Sequence, residues 1–102
     1  MKKPYSKSVG DTDATPILQI EPQYPIDAAR RGIEGWVKLS FSIDKTGSVT
    51  RVQIIDSSPP RVFDREAKRA LKRWRYKAKF TNGTAVIQDN LQIQLDFSLD
   101  NQ

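Results

Sequence analysis

The 102 residues leave room for one domain and not for two, since single hydrophobic cores organise on the order of 100–150 residues. With 17 Lys and Arg against 12 Asp and Glu, the formal charge of +5 and the pI near 9.7 favour anionic partners: nucleic acid, an acidic protein surface or anionic lipid. Histidine and cysteine are both absent, which removes Ser-His-Asp and Cys-His nucleophile systems, Cys/His zinc sites and any disulfide framework.

Residues 1–15 are polar, lack periodicity and include Pro4 and Gly10, so they read as the flexible end of a linker, with the folded domain over residues 16–102. Met1-Lys2-Lys3 is followed by Pro4-Tyr5-Ser6 where a signal peptide needs an apolar core, so no export signal is expected. No apolar run approaches the roughly 20 residues of a membrane span. Pro16-Ile17-Leu18-Gln19-Ile20 is a short apolar stretch suited to an edge strand or to irregular packing. Pro25 fits the first turn of a helix of about two turns, with Ala28 and Ala29 inside it and Gly32 as its left-handed cap.

Val37, Leu39, Phe41 and Ile43 alternate with polar residues and predict a strand with one buried face. Asp44-Lys45-Thr46-Gly47 supplies a tight turn. The returning strand carries Val49, then Val52 and Ile54 with changed parity, so a bulge or a residue on the opposite face must separate them. Ser57-Ser58-Pro59-Pro60 breaks the pattern and opens a long helix, on which Phe63, Ala67, Ala70, Leu71 and Trp74 form one apolar stripe. Asp64 and Glu66 near its start and Lys72, Arg73 and Arg75 near its end complement the helix dipole. After the Asn82-Gly83 turn, Leu91, Ile93, Leu95, Phe97 and Leu99 alternate with polar residues in the clearest strand of the chain. The predicted class is α+β, two helices packed on one face of a three- to four-stranded antiparallel sheet.

Catalytic and ligand-binding patterns are missing. Asp44 suits a turn, and Asp64 and Glu66 suit a helix start, better than acid–base work. The glycines never gather into a phosphate loop. Val49, Arg51 and Gln53 occupy the positions where a calcium loop needs acids. No cofactor, metal or catalytic residue is expected. The cations from Arg65 to Lys77, with Trp74 and Tyr76 among them, keep a small basic nucleic-acid-binding α+β module as the alternative reading.

Glu21-Pro22-Gln23-Tyr24-Pro25, the Glu34-Gly35 pair, Asp44-Lys45-Thr46-Gly47, Phe63-Asp64-Arg65-Glu66-Ala67 and Trp74-Arg75-Tyr76, in this order and spacing, resemble the TonB C-terminal domain family. Lys77-Ala78-Lys79 departs from the Pro-Ala pair of many members. The resemblance implies the periplasmic end of an energy transducer whose full-length form is anchored in the inner membrane. It implies binding to the TonB box of TonB-dependent outer-membrane receptors for iron–siderophore complexes, haem or vitamin B12. It also implies an ExbB-ExbD-type motor, reached through the part of the transducer upstream of this domain.

A long last strand with one unpaired backbone edge is able to accept another strand. The expected docking strand is therefore Leu91, Gln92, Ile93, Gln94, Leu95 and Asp96, and the resemblance adds Glu21, Pro22, Gln23, Tyr24 and Pro25 as expected partner-binding residues. Exchange of strands between two copies of the chain stays open.

Overall fold

The computed structural model describes Tyr5–Val9 and residues 14–99. In chain order they form β1 (Tyr5–Val9), β2 (Pro16–Leu18), α1 (Ile26–Arg30), β3 (Gly35–Ile43), β4 (Val49–Ser58), α2 (Asp64–Leu71), β5 (Arg75–Tyr76), β6 (Lys79–Thr81), β7 (Thr84–Val86) and β8 (Gln88–Phe97). The main sheet is antiparallel with strand order β1-β8-β3-β4, while β2 pairs with β5 and β6 with β7.

Alternation in the two central strands makes the core. Val37, Leu39, Phe41 and Ile43 from β3 and Leu91, Ile93, Leu95 and Phe97 from β8 are all buried. They join Ala28 of α1, Phe63, Ala67 and Leu71 at α2, and Trp74 and Tyr76 in one apolar cluster. Of the two ways to change parity in the returning strand, the chain uses a bulge: pairing of β3 with β4 slips between Ser40 and Ser42, opposite Arg51 at φ 54°. The same pairing slips again between Lys38 and Leu39, and a third irregularity lies on the other side of β3, between Phe41 and Ile43, where β8 carries Asn90 at φ 61°.

Both helices are shorter than their sequence patterns suggest. Pro25, at ψ 132°, stands before α1 instead of in its first turn. The helix closes with Gly32 and Ile33 donating to the carbonyls of Ala29 and Ala28, a Schellman arrangement. Ser57 and Ser58 still belong to β4, and α2 spans Asp64–Leu71 only. Its stripe continues because Arg73 and Trp74 donate to the carbonyls of Ala70 and Leu71, tight i to i−3 bonds that carry Trp74 under the helix.

The strands β5, β6 and β7 are too short to show a periodicity. The β6–β7 hairpin turns at Asn82 and Gly83, both at positive φ (52° and 81°), as a type I′ turn requires.

One expectation is corrected. The last strand does not lie at the edge of the sheet, because β8 has β3 on one side and β1 on the other. The physical reason is that a long unpaired edge exposes a row of backbone donors and acceptors, which favours capture of any available segment. The linker expected over residues 1–15 lies partly outside the described residues, and within it Tyr5–Val9 forms β1.

Candidate functional site

The predicted site residues fall into two groups that the fold brings together at Phe97. In β8, Leu91, Ile93 and Leu95 are fixed in the core while Gln92, Gln94 and Asp96 are half-buried on the opposite face. Gln94 Nε2 donates to Asp96 Oδ1 at 2.8 Å, which satisfies part of that polar row within the strand. Core anchoring on alternate residues fixes the β8 backbone along its outer edge, where β1 pairs in the register Tyr5 with Asp96, Lys7 with Gln94 and Val9 with Gln92.

The second group is held by Tyr24. Its ring meets Phe63 edge-on at 5.5 Å and Phe97 at 5.8 Å, and its hydroxyl donates to the Ile33 carbonyl at 2.6 Å. Partial burial, with the Glu34 carboxylate as a smaller cause, raises the Tyr24 phenol above its ordinary pKa. Pro22 is buried, whereas Glu21 and Gln23 are exposed and line a small cleft with Glu66, Arg69, Ala70 and Arg73 of the α2 region. Tyr24 and Pro22 thus anchor the segment, leaving Glu21 and Gln23 as its accessible side chains. Leu91 and Gln92, at the other end of β8, lie several residues from the Tyr24–Phe97 contact and share no residue with this cleft.

The remaining motifs interlock. Asp44 Oδ1 accepts from the Thr46 hydroxyl and from the backbone N–H of Thr46 and Ser48, which holds its carboxyl below the usual range. Gly47 sits at φ 94°, its carbonyl accepts from Tyr76 N–H at 2.8 Å, and a Cβ there would meet the Tyr76 carbonyl oxygen at 2.1 Å. At Gly35 a Cβ would meet the Ser58 carbonyl oxygen at 2.0 Å, so β3 can pass beneath Pro59 and Phe63 only without a side chain. Trp74 is buried and its indole N–H donates to the Ile20 carbonyl at 2.9 Å. Burial pushes the Tyr76 phenol up to about 12.

These motif glycines and aromatics are therefore joints between elements. With Trp74 inside, the basic surface of α2 lacks the exposed stacking ring that the nucleic-acid alternative requires. Among the described residues no group of His, Cys, Asp and Glu is placed to hold a metal ion.

The family model described as Gram-negative bacterial TonB protein C-terminal matches residues 20–99, which include each of these joints. The chain belongs to this family. Protein TonB of Pseudomonas aeruginosa is 40% identical over 81 residues, which are 79% of this chain and 24% of that protein. Protein TonB of Escherichia coli K12 is 46% identical over 57 residues, 56% of this chain and 24% of that protein.

The solution NMR structure of the Pseudomonas aeruginosa TonB CTD superposes with TM-score 0.70 at 33% identity, covering 96% of this chain and 97% of that one. The TonB2 protein of Vibrio anguillarum gives 0.66 at 37% identity, covering 93% of each. The chain thus corresponds to the C-terminal part of a TonB-type protein, a family of energy transducers and not of enzymes. It spans 24% of the length of these two curated relatives.

What the sequence misses in this TonB-type domain is β1. Tyr5 and Val9 are good strand formers, but Ser6, Lys7 and Ser8 between them give no apolar alternation to detect.

Proposed function

We propose that this domain is the periplasmic, receptor-gripping end of a TonB-type transducer, and that it takes the TonB box of outer-membrane receptors as an added strand along β8. The inner-membrane anchor and the contact with an ExbB-ExbD-type motor belong to the upstream part of such a transducer, and no described helix is long and apolar enough to cross a membrane. Force drawn from the proton gradient would then reach a receptor for an iron–siderophore complex, haem or vitamin B12 through this one grip.

One observation supports the reading above all: from Gln92 to Asp96, β8 presents a core-anchored backbone whose outer edge already pairs in regular register with a five-residue segment of unremarkable sequence. An edge that accepts Tyr-Ser-Lys-Ser-Val accepts strands through the backbone, as strand addition requires. Main-chain bonds grip without demanding one sequence, which suits a single transducer serving several receptors. Glu21 and Gln23, exposed beside the Tyr24 anchor, are the side chains available to discriminate among them.

The test compares two changes at Gln94. Gln94→Ala keeps the backbone unchanged and should bind a synthetic TonB-box peptide within about twofold of the parent, whereas Gln94→Pro removes a backbone N–H and breaks the extended geometry at the centre of the edge, and should weaken binding by about tenfold or more. Each variant is first checked for cooperative melting. A folded Gln94→Pro protein that binds like the parent would remove β8 as the docking strand and leave the Glu21–Pro25 segment as the next candidate.

A further inference from the structure

We infer that Tyr5–Val9 is a resident competitor for the β8 edge, so that a strand-supplying partner docks only by displacing the chain's own β1. The inference rests on the strand-addition reading above and adds to it what stands in the partner's way.

β1 is at the edge of the main sheet with β8 as its strand partner, and it pairs opposite Gln92 to Asp96, the stretch proposed for the receptor segment. β8 itself does not depend on that pairing. It keeps a long register with β3 from Phe97 to Gln88, and Leu91, Ile93, Leu95 and Phe97 keep their places in the core. Removing β1 therefore opens an edge without dismantling the sheet.

The chain is held again from Ala14 onward. Ala14 packs against the core, the Thr15 carbonyl accepts from Lys77 N–H at 2.9 Å, and β2 pairs with β5. Only Gly10 to Asp13 separate this fixed point from β1. A tether that short keeps the local concentration of β1 at the edge high, on the order of millimolar, so even a weakly pairing segment occupies it for much of the time.

Two consequences follow. The resident strand blunts an edge that would otherwise template association between copies. It also lowers apparent affinity for a partner strand by the fraction of molecules whose edge is free, so a segment must pair better than Tyr-Ser-Lys-Ser-Val to gain entry. The device thus sets a threshold for docking and raises selectivity at an interface that reads mostly backbone.

The chain contains no cysteine, so Lys7→Cys combined with Gln94→Cys forms a single lockable pair at facing positions in the register. Directly opposed Cβ atoms lie about 4.5–5.5 Å apart in antiparallel strands, close to the roughly 3.5–4.5 Å of a disulfide. The comparison is internal to this one variant. Oxidised, with β1 locked down, it should bind a synthetic TonB-box peptide at least roughly tenfold more weakly than after reduction. A second variant, Ser6→Pro with Lys7→Pro, acts in the opposite sense. Alternate N–H groups of a strand face its neighbour, so one of these two consecutive prolines must remove a donor to β8. This variant should bind the peptide several-fold more tightly than the parent.

Equal affinity in the oxidised and reduced forms, or no gain from the prolines, overturns the competition. Amide shifts on adding peptide to the parent separate the two possible failures. If β8 amides still move, the docking edge stands and only the resident competitor is wrong. If they do not move, the strand-addition reading has failed and this inference with it.

Discussion

Trp74 is only 2% exposed, and its indole N–H is bonded to the Ile20 carbonyl, fifty-four positions away in sequence. Trp74→Ala should therefore cost about 3–5 kcal/mol in urea unfolding, the usual range for removing a large buried aromatic. A loss of a few tenths would mean that the ring is accessible. The helical stripe made the burial of Trp74 legible, but its hydrogen bond is non-local and left no trace in the sequence.

Tyr76 gives a pH signature. Its phenol titrates at about 12 in the folded domain against an ordinary value of 10.0, because burial disfavours the phenolate. The stabilisation is therefore fully present below pH 10 and is lost as pH rises through about 12. Melting temperature should fall more steeply over that window in the parent than in Tyr76→Phe. Parallel curves would show that the ring is solvated. Tyr24 behaves similarly in direction, and its place between Phe63 and Phe97 explains why a Tyr-Pro pair precedes the first helix.

Among the elements, the β3–β4 hairpin and α2 were readable because each buries one face at a constant period. Their ends were not. The stripe from Phe63 to Trp74 suggests a helix longer than Asp64–Leu71, because periodicity reports burial and cannot tell an α-turn from the tight turn that follows it. Asp44 to Gly47 mark the hairpin turn locally, whereas its docking on Tyr76 depends on a partner almost thirty residues on, which no local pattern encodes.

Two predictions belong to this turn. Gly47→Ala should destabilise the domain by about 2 kcal/mol or more, since the backbone is left-handed there and the added methyl meets the Tyr76 carbonyl. A near-parental urea midpoint would show that the turn moves freely away from β5. At Asp44, hydrogen bonds from the Thr46 hydroxyl and then the Ser48 amide lower the carboxyl pKa. Its stabilisation is present above the ordinary carboxylate range and disappears as pH falls through the lowered value. Asp44→Asn should accordingly show a shallower loss of melting temperature on acidification than the parent does.

At the scale of the whole molecule, the charge of +5 named a sign of partner and nothing more. The exposed cations of α2 carry one ion pair among the described residues, Arg69 with Glu66 at 3.9 Å, so they form a basic face without an aromatic reader. Binding to random single-stranded nucleic acid should stay at about 10⁻⁴ M or weaker at physiological salt. Submicromolar affinity would reopen the nucleic-acid alternative.

The α+β class and the order of the long elements were legible because β3, α2 and β8 each carry a strong apolar period. The neighbours of β8 were not, since pairing partners are chosen by backbone geometry and β1 offers no apolar face to announce itself. Docking by strand addition stands or falls on that edge. Its most direct test is an amide chemical-shift titration of the full chain with a synthetic TonB-box peptide. Shifts concentrated at Gln92, Gln94 and Asp96 and at Tyr5–Val9, with the β6–β7 hairpin and the basic face of α2 unmoved, are the predicted result. Shifts confined to Arg65–Arg73, or absent from β8 at saturating peptide, would contradict docking by strand addition.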